Sequence, residues 1–498
     1  MRQTKIILKM PVAELRFPEV KNFIKGHFVD TTGSQIDVIS PLDGSLLSKV
    51  PVSQVSALNE AVVSAQEAFP SWSATPIKER VQVLFNYRTL LQKYREELTE
   101  LIHLENGKIK SEAAAEIDKA IELTEFAVSL PQLIPGEILE VSKGVDCKME
   151  RMPLGVVASI TPFNFPCMVP NWTIPNVLAL GNCMILKPSE MVPLTAYRIA
   201  MILKEAGLPD GVFNIVNGTQ EVVESICDHP DIKAVSFVGS TKVAKIVYKR
   251  STGNLKRCLA LGGAKNHLLV LPDAQVEMTA SNITASMSGC AGQRCMAASA
   301  MVGVGNIDHI IEKICEEARK MIPGQNLGSV ISKAAKERIE KYITEAEAAG
   351  AKVLVDGRNA TVPGAEGGFY VGATIIDFVK PEMAIAKEEV FGPVLAIIRA
   401  NNIDDAIAIE NKSPYGNAAS VFTQSGGLAK YVAEKASAGM IGVNIGVPVP
   451  REPFSFGGWN ESRFGAGDIT GKSAIEFWTQ MKKTTIKWNP EARTNWMS

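Results

Sequence analysis

The chain has 498 residues, yet it contains no long apolar run, no paired cysteines, no histidines at metal-ligand spacing and almost no net charge. Each absence excludes a class of function. No stretch approaches the ~18 consecutive apolar residues of a membrane helix. A formal charge of −1 gives no electrostatic reason to bind nucleic acid or an anionic membrane. The eight cysteines (Cys147, Cys167, Cys183, Cys227, Cys258, Cys290, Cys295 and Cys315) are scattered without a C-x-x-C pair. That argues against both a disulfide framework and a zinc site, and fits a reducing cytosol. The five histidines, His27, His103, His229, His267 and His309, are dispersed and read as surface or packing residues. No metal is expected. There is no internal repeat, no low-complexity tract and no G-x-G-x-x-G fingerprint. The apolar core of the N-terminus, Ile6-Ile7-Leu8, is too short for a secretory signal. A cytoplasmic location is expected. The alternative is the mitochondrial matrix, because no acidic residue precedes Glu14, although the segment is poor in Ser and Arg.

What is present is an ordinary globular balance, 46% hydrophobic and 21% charged. At ~100–200 residues per domain, two or three domains are expected. Apolar residues recur at helical spacing over residues 53–104 and 110–129, with Pro131 and Pro135 ending the second stretch. From Arg151 the texture alternates. Buried-strand runs at 155–160, 183–186, 212–216 and 234–238 are separated by helical stretches at 177–181, 195–206 and 222–226, with a further helix from Ser240. Such alternation predicts right-handed βαβ units and a parallel sheet. The pattern restarts after Leu261 with strands at 267–271 and 300–304 around a helix at 278–288. The fold class is therefore α/β with two lobes. Residues 474–488 have strand character but are too short for a domain. They are expected to pair elsewhere, with a neighbouring subunit as one partner.

Cys295 lies in Gly289-Cys290-Ala291-Gly292-Gln293-Arg294-Cys295-Met296, on backbone that can bend and beside a fixed positive charge. A neighbouring cation favours the reactive thiolate. Cys290 reads as a packing cysteine, and Cys167 as a residue near the pocket. Asn164 follows a strand end between Pro162 and Pro166. An amide N–H held on such backbone can stabilise a developing oxyanion, though an Asn capping the next helix has the same look. Lys187 and Glu190 follow a buried strand, where parallel sheets take cofactors. A carboxylate there accepts from a ribose diol and repels a 2′-phosphate. Gly239 and Ser240 end a strand and open a helix, whose free N–H groups suit a pyrophosphate.

Taken in order, Ile160-Thr161-Pro162-Phe163-Asn164-Phe165-Pro166, Leu186-Lys187-Pro188-Ser189-Glu190, Phe237-Val238-Gly239-Ser240-Thr241, Gly292-Gln293-Arg294-Cys295 and Glu388-Glu389-Val390-Phe391-Gly392-Pro393-Val394 carry a resemblance. From about Val38 to Trp488 the chain resembles the NAD(P)-dependent aldehyde dehydrogenase superfamily. The resemblance implies that Cys295 attacks an aldehyde to give a thiohemiacetal, whose collapse delivers hydride to NAD and leaves a thioester. It implies an oxyanion hole from Asn164 and the nucleophile's backbone N–H. It also implies cofactor contacts at Thr161, Phe163, Lys187, Glu190, Gly239, Ser240, Glu389 and Phe391. Residues 1–130 and 152–260 would form the NAD-binding lobe, 261–470 the catalytic lobe, and 131–151 with 471–498 an oligomerisation segment. A homodimer or homotetramer is expected by analogy.

The chain departs from the hydrolytic pattern. Most hydrolytic members carry a glutamate general base where Leu261 stands in Leu261-Gly262-Gly263-Ala264-Lys265-Asn266-His267. Leucine cannot take a proton, so water attack on the thioester should be slow and the thiol of coenzyme A becomes the expected acceptor. With Val447-Pro448-Val449-Pro450, this looks most like the CoA-acylating methylmalonate-semialdehyde dehydrogenase branch, which also handles malonate semialdehyde. That branch releases CO2 and yields propionyl-CoA or acetyl-CoA. A substrate carboxylate would then meet Arg294, and Lys119 where the branch has a second arginine, with Arg451 as a substitute. Two rivals stand beside this reading. One is a hydrolytic enzyme using Glu388 or Glu389 as base. The other is a non-catalytic protein that has kept the fold.

Overall fold

A computed structural model describes residues 15–31 and 33–488. The Ile6–Leu8 core and the presequence alternative lie outside these residues. Five parallel strands, Val156–Ile160, Cys183–Lys187, Phe213–Ile215, Ile232–Val238 and Arg257–Leu261, form the middle of an eight-stranded sheet. In space they run third, second, first, fourth, fifth, so the order reverses between Val156–Ile160 and Ile232–Val238. Every position of Val156–Ile160 and Cys183–Lys187 is buried, as a parallel sheet covered on both faces requires. The reversal opens a crevice at the carboxyl ends of the strands.

The second lobe is a seven-stranded sheet in the order Lys352–Val355, Thr374–Asp377, Val394–Ala400, Ala298–Val304, Asn266–Val270, Ala418–Phe422, Met440–Val443. Only the edge strand Lys352–Val355 runs antiparallel. Two βαβ lobes face each other, as the alternation in the sequence led one to expect. Residues 53–104 resolve into three helices, Val55–Ala74, Ile77–Lys93 and Arg95–Asn106, followed by Lys110–Val128.

Three local expectations differ from the structure. The helix expected at 177–181 begins much earlier and spans Met168–Ala179, with Pro170 in its first turn and Pro175 inside. Pro170 lies where an N–H would lack an intrahelical partner anyway, and burial of all but the first residue outweighs the bond that Pro175 removes. Lys110–Val128 ends just before Pro131, as expected, but Pro131 then opens a further short helix, Leu130–Leu133, in place of a loop. Finally, Ser473–Phe477 is helical, and only Thr479–Lys487 is a strand. That strand pairs within its own chain, antiparallel to Val145–Pro153, which pairs in turn with Glu137–Ser142.

Asn182 joins this small sheet to the first lobe. It is fully buried. Its Oδ1 accepts from the N–H groups of Leu154 (2.7 Å) and Gly155 (3.2 Å), and its Nδ2 donates to the carbonyl of Trp478 (2.9 Å). Replacing it strands three buried backbone groups. Asn182→Ala is therefore expected to destabilise the protein by about 3 kcal/mol, read as a lower midpoint of thermal unfolding. An unchanged midpoint would mean that the amide ties nothing together.

Candidate active site

The residues expected to hold a cofactor come together at the carboxyl edge of the first sheet. Thr161, Phe163 and Asn164 leave Val156–Ile160, Lys187 ends its strand, and Gly239 and Ser240 leave Ile232–Val238. The Thr161 N–H donates to the Lys187 carbonyl at 3.1 Å. The buried Lys187 ammonium donates to Glu190 Oε2 at 2.9 Å, which leaves the other carboxylate oxygen free to accept. Ser240 stands at the N-cap of Thr241–Gly253 with no side-chain capping bond, so the first-turn N–H groups stay open to an anion. A side chain at Gly239 would collide with the Phe237 ring, 2.6 Å from a Cβ placed there.

From the second lobe, Glu389 and Phe391 approach the same crevice just before Val394–Ala400. The Phe391 ring meets Phe163 edge-on at 5.8 Å. Glu389 is half-buried and accepts from the Ala264 N–H at 3.1 Å. Burial pushes its carboxyl up to about 7, against the pull of that N–H and of Lys265. Glu388, by contrast, is exposed.

The nucleophile loop is strained and tightly seated. Cys290, Ala291 and Gly292 all have positive φ, at 53°, 52° and 70°. Non-glycine residues adopt that region only when the surroundings hold them there. At Gly292 the constraint is visible, since a Cβ would lie 2.0 Å from the Gly392 carbonyl oxygen. Three residues on, the Cys295 carbonyl accepts from Asn266 Nδ2 (2.7 Å) and Asn417 Nδ2 (2.9 Å). Cys295 thus sits just before Ala298–Val304, facing the edge of the first sheet, and keeps some solvent access.

Its thiol is not poised as a thiolate. Burial, then the charge of Glu389, push it up to about 12, and Arg294 opposes this only weakly. The neighbouring arginine was expected to activate the thiol, but its guanidinium turns away. Its Nη2 donates to the carbonyls of Ala285 (2.5 Å) and Ser286 (3.0 Å) at the C-terminus of Val276–Ser288, while its buried Nε has no partner. Cys290 is buried, its thiol pushed up to about 11 by burial. Cys167 is also buried and its thiol raised well above the ordinary range by the same cause.

Asn164 is buried, and its Nδ2 donates to the Gln293 carbonyl at 3.0 Å, two residues before the nucleophile. Leu261 closes its strand inside the apolar cluster against which Cys295 packs. The Lys119 ammonium is paired with Glu452 at 2.6 Å and Glu122 at 3.3 Å. Arg451 is 80% exposed at its side chain and 3.8 Å from Glu122. Several site residues escaped the sequence reading: Lys108, Glu112, Glu116, Gln293 and Asn417, together with Asn266 as a support for Cys295. Gln293 and Asn266 at least stood in motifs already singled out.

Comparison with known proteins agrees with this geometry. The model of the aldehyde dehydrogenase family matches residues 28–484. A malonate-semialdehyde dehydrogenase of Geobacillus kaustophilus (strain HTA426) is 44% identical over 479 residues, which cover 94% of this chain and 99% of that protein. The crystal structure of the methylmalonate-semialdehyde dehydrogenase from Oceanimonas doudoroffii superposes with a TM-score of 0.93 at 40% identity, covering 95% of this chain and 99% of that one. A Sinorhizobium meliloti 1021 protein assigned to the same activity, solved with NAD, gives 0.94 at 38% identity, covering 96% and 100%. The likeness runs through both lobes, and the chain belongs to the aldehyde dehydrogenase family.

Proposed function

We propose that this enzyme oxidises a small acidic aldehyde, malonate or methylmalonate semialdehyde, with NAD and transfers the acyl group to coenzyme A. The observation that carries the acyl acceptor is Leu261, an apolar, buried side chain where a hydrolytic member would hold its base. The relatives named for malonate and methylmalonate semialdehyde support the substrate class.

The residues present fit NAD. Open N–H groups at the start of Thr241–Gly253 suit the pyrophosphate, the Lys187–Glu190 pair suits the adenosine ribose diol, and Glu389 with the Phe163–Phe391 pair closes the nicotinamide end. Thr161 and Gly239 line the approach. When bound, NAD supplies the hydride acceptor. Cys295 Sγ adds to the aldehyde carbon, and its proton must leave because the resting thiol is protonated at neutral pH. One N–H of Asn164 is already committed to Gln293, and its second N–H, with the Cys295 backbone N–H, receives the developing oxyanion. Loss of hydride from the thiohemiacetal carbon leaves a thioester on Cys295. No base stands at Leu261 to activate water, so the thioester persists: the substrate carboxylate leaves as CO2, the carbon it leaves takes up a proton, and the CoA thiol then displaces Cys295, which regains its proton. Arg294 is the cation closest in sequence to the nucleophile, and its unpartnered Nε leaves it able to take a substrate carboxylate. Lys119 contributes only where a substrate carboxylate displaces Glu452.

We further assign residues 1–130 and 152–260 to the cofactor lobe and 261–470 to the catalytic lobe. Residues 131–151 with 471–498 would form an oligomerisation segment in a cytoplasmic homodimer or homotetramer. The strand Glu137–Ser142 supports this assignment. It is exposed on both faces and carries Ile138, Leu139 and Val141, and such a strand needs a cover.

NADH formation from either semialdehyde is expected to require CoA and to yield acetyl-CoA or propionyl-CoA. Steady NADH with a free acid product would make the enzyme hydrolytic and direct attention to Glu389. Leu261→Glu should raise CoA-independent turnover by about a hundredfold, the low end of what a placed general base contributes. No rise would mean that something other than the missing base excludes water. In the unliganded enzyme, alkylation of Cys295 followed by mass spectrometry should climb about tenfold per pH unit from 7 to 10 without levelling, because only the thiolate reacts. A plateau near neutral pH would show that the thiol is activated before substrate arrives.

A further inference from the structure

Lys108 and Glu116 are sealed from solvent, with 1% and 0% of their side chains exposed, and their charges meet at 2.6 Å. Burial disfavours the ammonium, but the carboxylates of Glu116 and Glu112 outweigh it and hold Lys108 charged. Neither residue touches the cofactor crevice or the thiol as described above. Burying such a pair is no gain in stability over well-packed apolar side chains of the same volume. Its geometry shows what the charges hold. Lys108 Nζ also donates to the Asn164 carbonyl at 2.8 Å and lies 4.1 Å from the centre of the Phe165 ring. Glu116 Oε1 accepts from the N–H groups of Cys167 (2.7 Å) and Met168 (3.0 Å). Next to Lys108, Asn106 Nδ2 donates to the Phe163 carbonyl at 2.9 Å. The segment from Phe163 to Met168 includes Pro166 and follows Pro162, and a proline cannot donate. The carbonyls of Phe163 and Asn164 and the N–H groups of Cys167 and Met168 are all met by side chains of Asn106, Lys108 and Glu116, while the carbonyls of Phe165 and Cys167 accept from Val169 and Asn171 in the helix that follows.

We propose that the buried Lys108–Glu116 pair is the positioning device of the oxyanion donor. It fixes the main chain of Asn164 from behind, so that the side-chain amide, tethered in front to the Gln293 carbonyl, points at the reacting oxygen. The same helix reaches the nucleophile loop one turn earlier, where Glu112 Oε1 accepts from the Cys290 N–H at 2.7 Å. One face of Lys110–Val128 therefore sets both the amide and the loop that bears the nucleophile. This inference rests on Asn164 being the oxyanion donor.

The test is a mutant cycle in the full-length enzyme with NAD, CoA and a semialdehyde. The double variant Lys108→Met/Glu116→Gln keeps the shape and removes both charges, and the amide oxygen it introduces can still accept from the N–H groups of Cys167 and Met168. Its kcat should fall about 30-fold, short of the roughly hundredfold or more lost when an oxyanion donor is removed outright. KM for NAD and aldehyde, and the alkylation rate of Cys295, should stay within about threefold. In an Asn164→Ala background the same double change should cost less than about threefold, because residues acting as a unit are not additive. A full additional 30-fold loss in that background, or a raised KM with kcat retained, would overturn the proposal. If the double variant does not fold, Glu116→Gln alone should lower kcat by about tenfold and show the same loss of additivity, and additive losses there would overturn it equally. An Asn164→Ala enzyme with undiminished kcat would instead remove the oxyanion reading on which the proposal stands, and that result is read before either pair variant is made.

Discussion

The site depends on one buried face of the helix Lys110–Val128. A helix in this position could have packed with apolar side chains alone. It instead presents Glu112 and Glu116 to backbone N–H groups that have no partner in any helix or strand ladder. An unmet N–H in the interior costs more than most contacts return, so these carboxylates leave the chain little freedom. Lys108 completes the arrangement by neutralising Glu116 and binding a carbonyl at the same time. The loop after Val156–Ile160 and the loop before Ala298–Val304 belong to different lobes, and this helix holds both.

The remaining constraints act at the backbone of the catalytic lobe. Gly292 lies against the Gly392 carbonyl, which couples the nucleophile loop to the loop carrying Glu389 and Phe391. Asn266, which opens its strand, and Asn417, just before the neighbouring strand Ala418–Phe422, both hold the Cys295 carbonyl. The thiol itself is left in an apolar setting, protonated and near a carboxylate. The strained backbone at Cys290 and Ala291 is the local cost of that placement.

Substrate recognition is where the charges matter most. The helix offers Lys119 and the loop after Met440–Val443 offers Arg451, yet Glu122 and Glu452 stand beside them, so that this corner is close to neutral. Arg294 is committed on one side to the end of a helix. On the proposed reading, a substrate carboxylate meets cations that already have partners.

Much of this was legible in residue order. Runs such as Val156–Ile160 and Cys183–Lys187 are apolar throughout and could only be interior strands, so two βαβ lobes followed from pattern alone. Cys295, Asn164, the Lys187–Glu190 pair and the leucine at 261 could be singled out from residue order, because each lies within a few residues of a strand end whose chemistry is local; their roles are those proposed above. Tertiary structure decided the rest. Pro170 and Pro175 hide a helix that only complete burial explains, and Thr479–Lys487 shows no sign in sequence that its partner is Val145–Pro153. Lys119 meets a carboxylate 333 positions away, and Arg294 turns from the residue beside it toward carbonyls eight and nine positions back. The thiol's high pKa is likewise a property of what surrounds it. Sequence determines which groups are present and how the nearby backbone runs; the partner of each charge, and therefore its reactivity, is set by contacts between segments that only folding brings together.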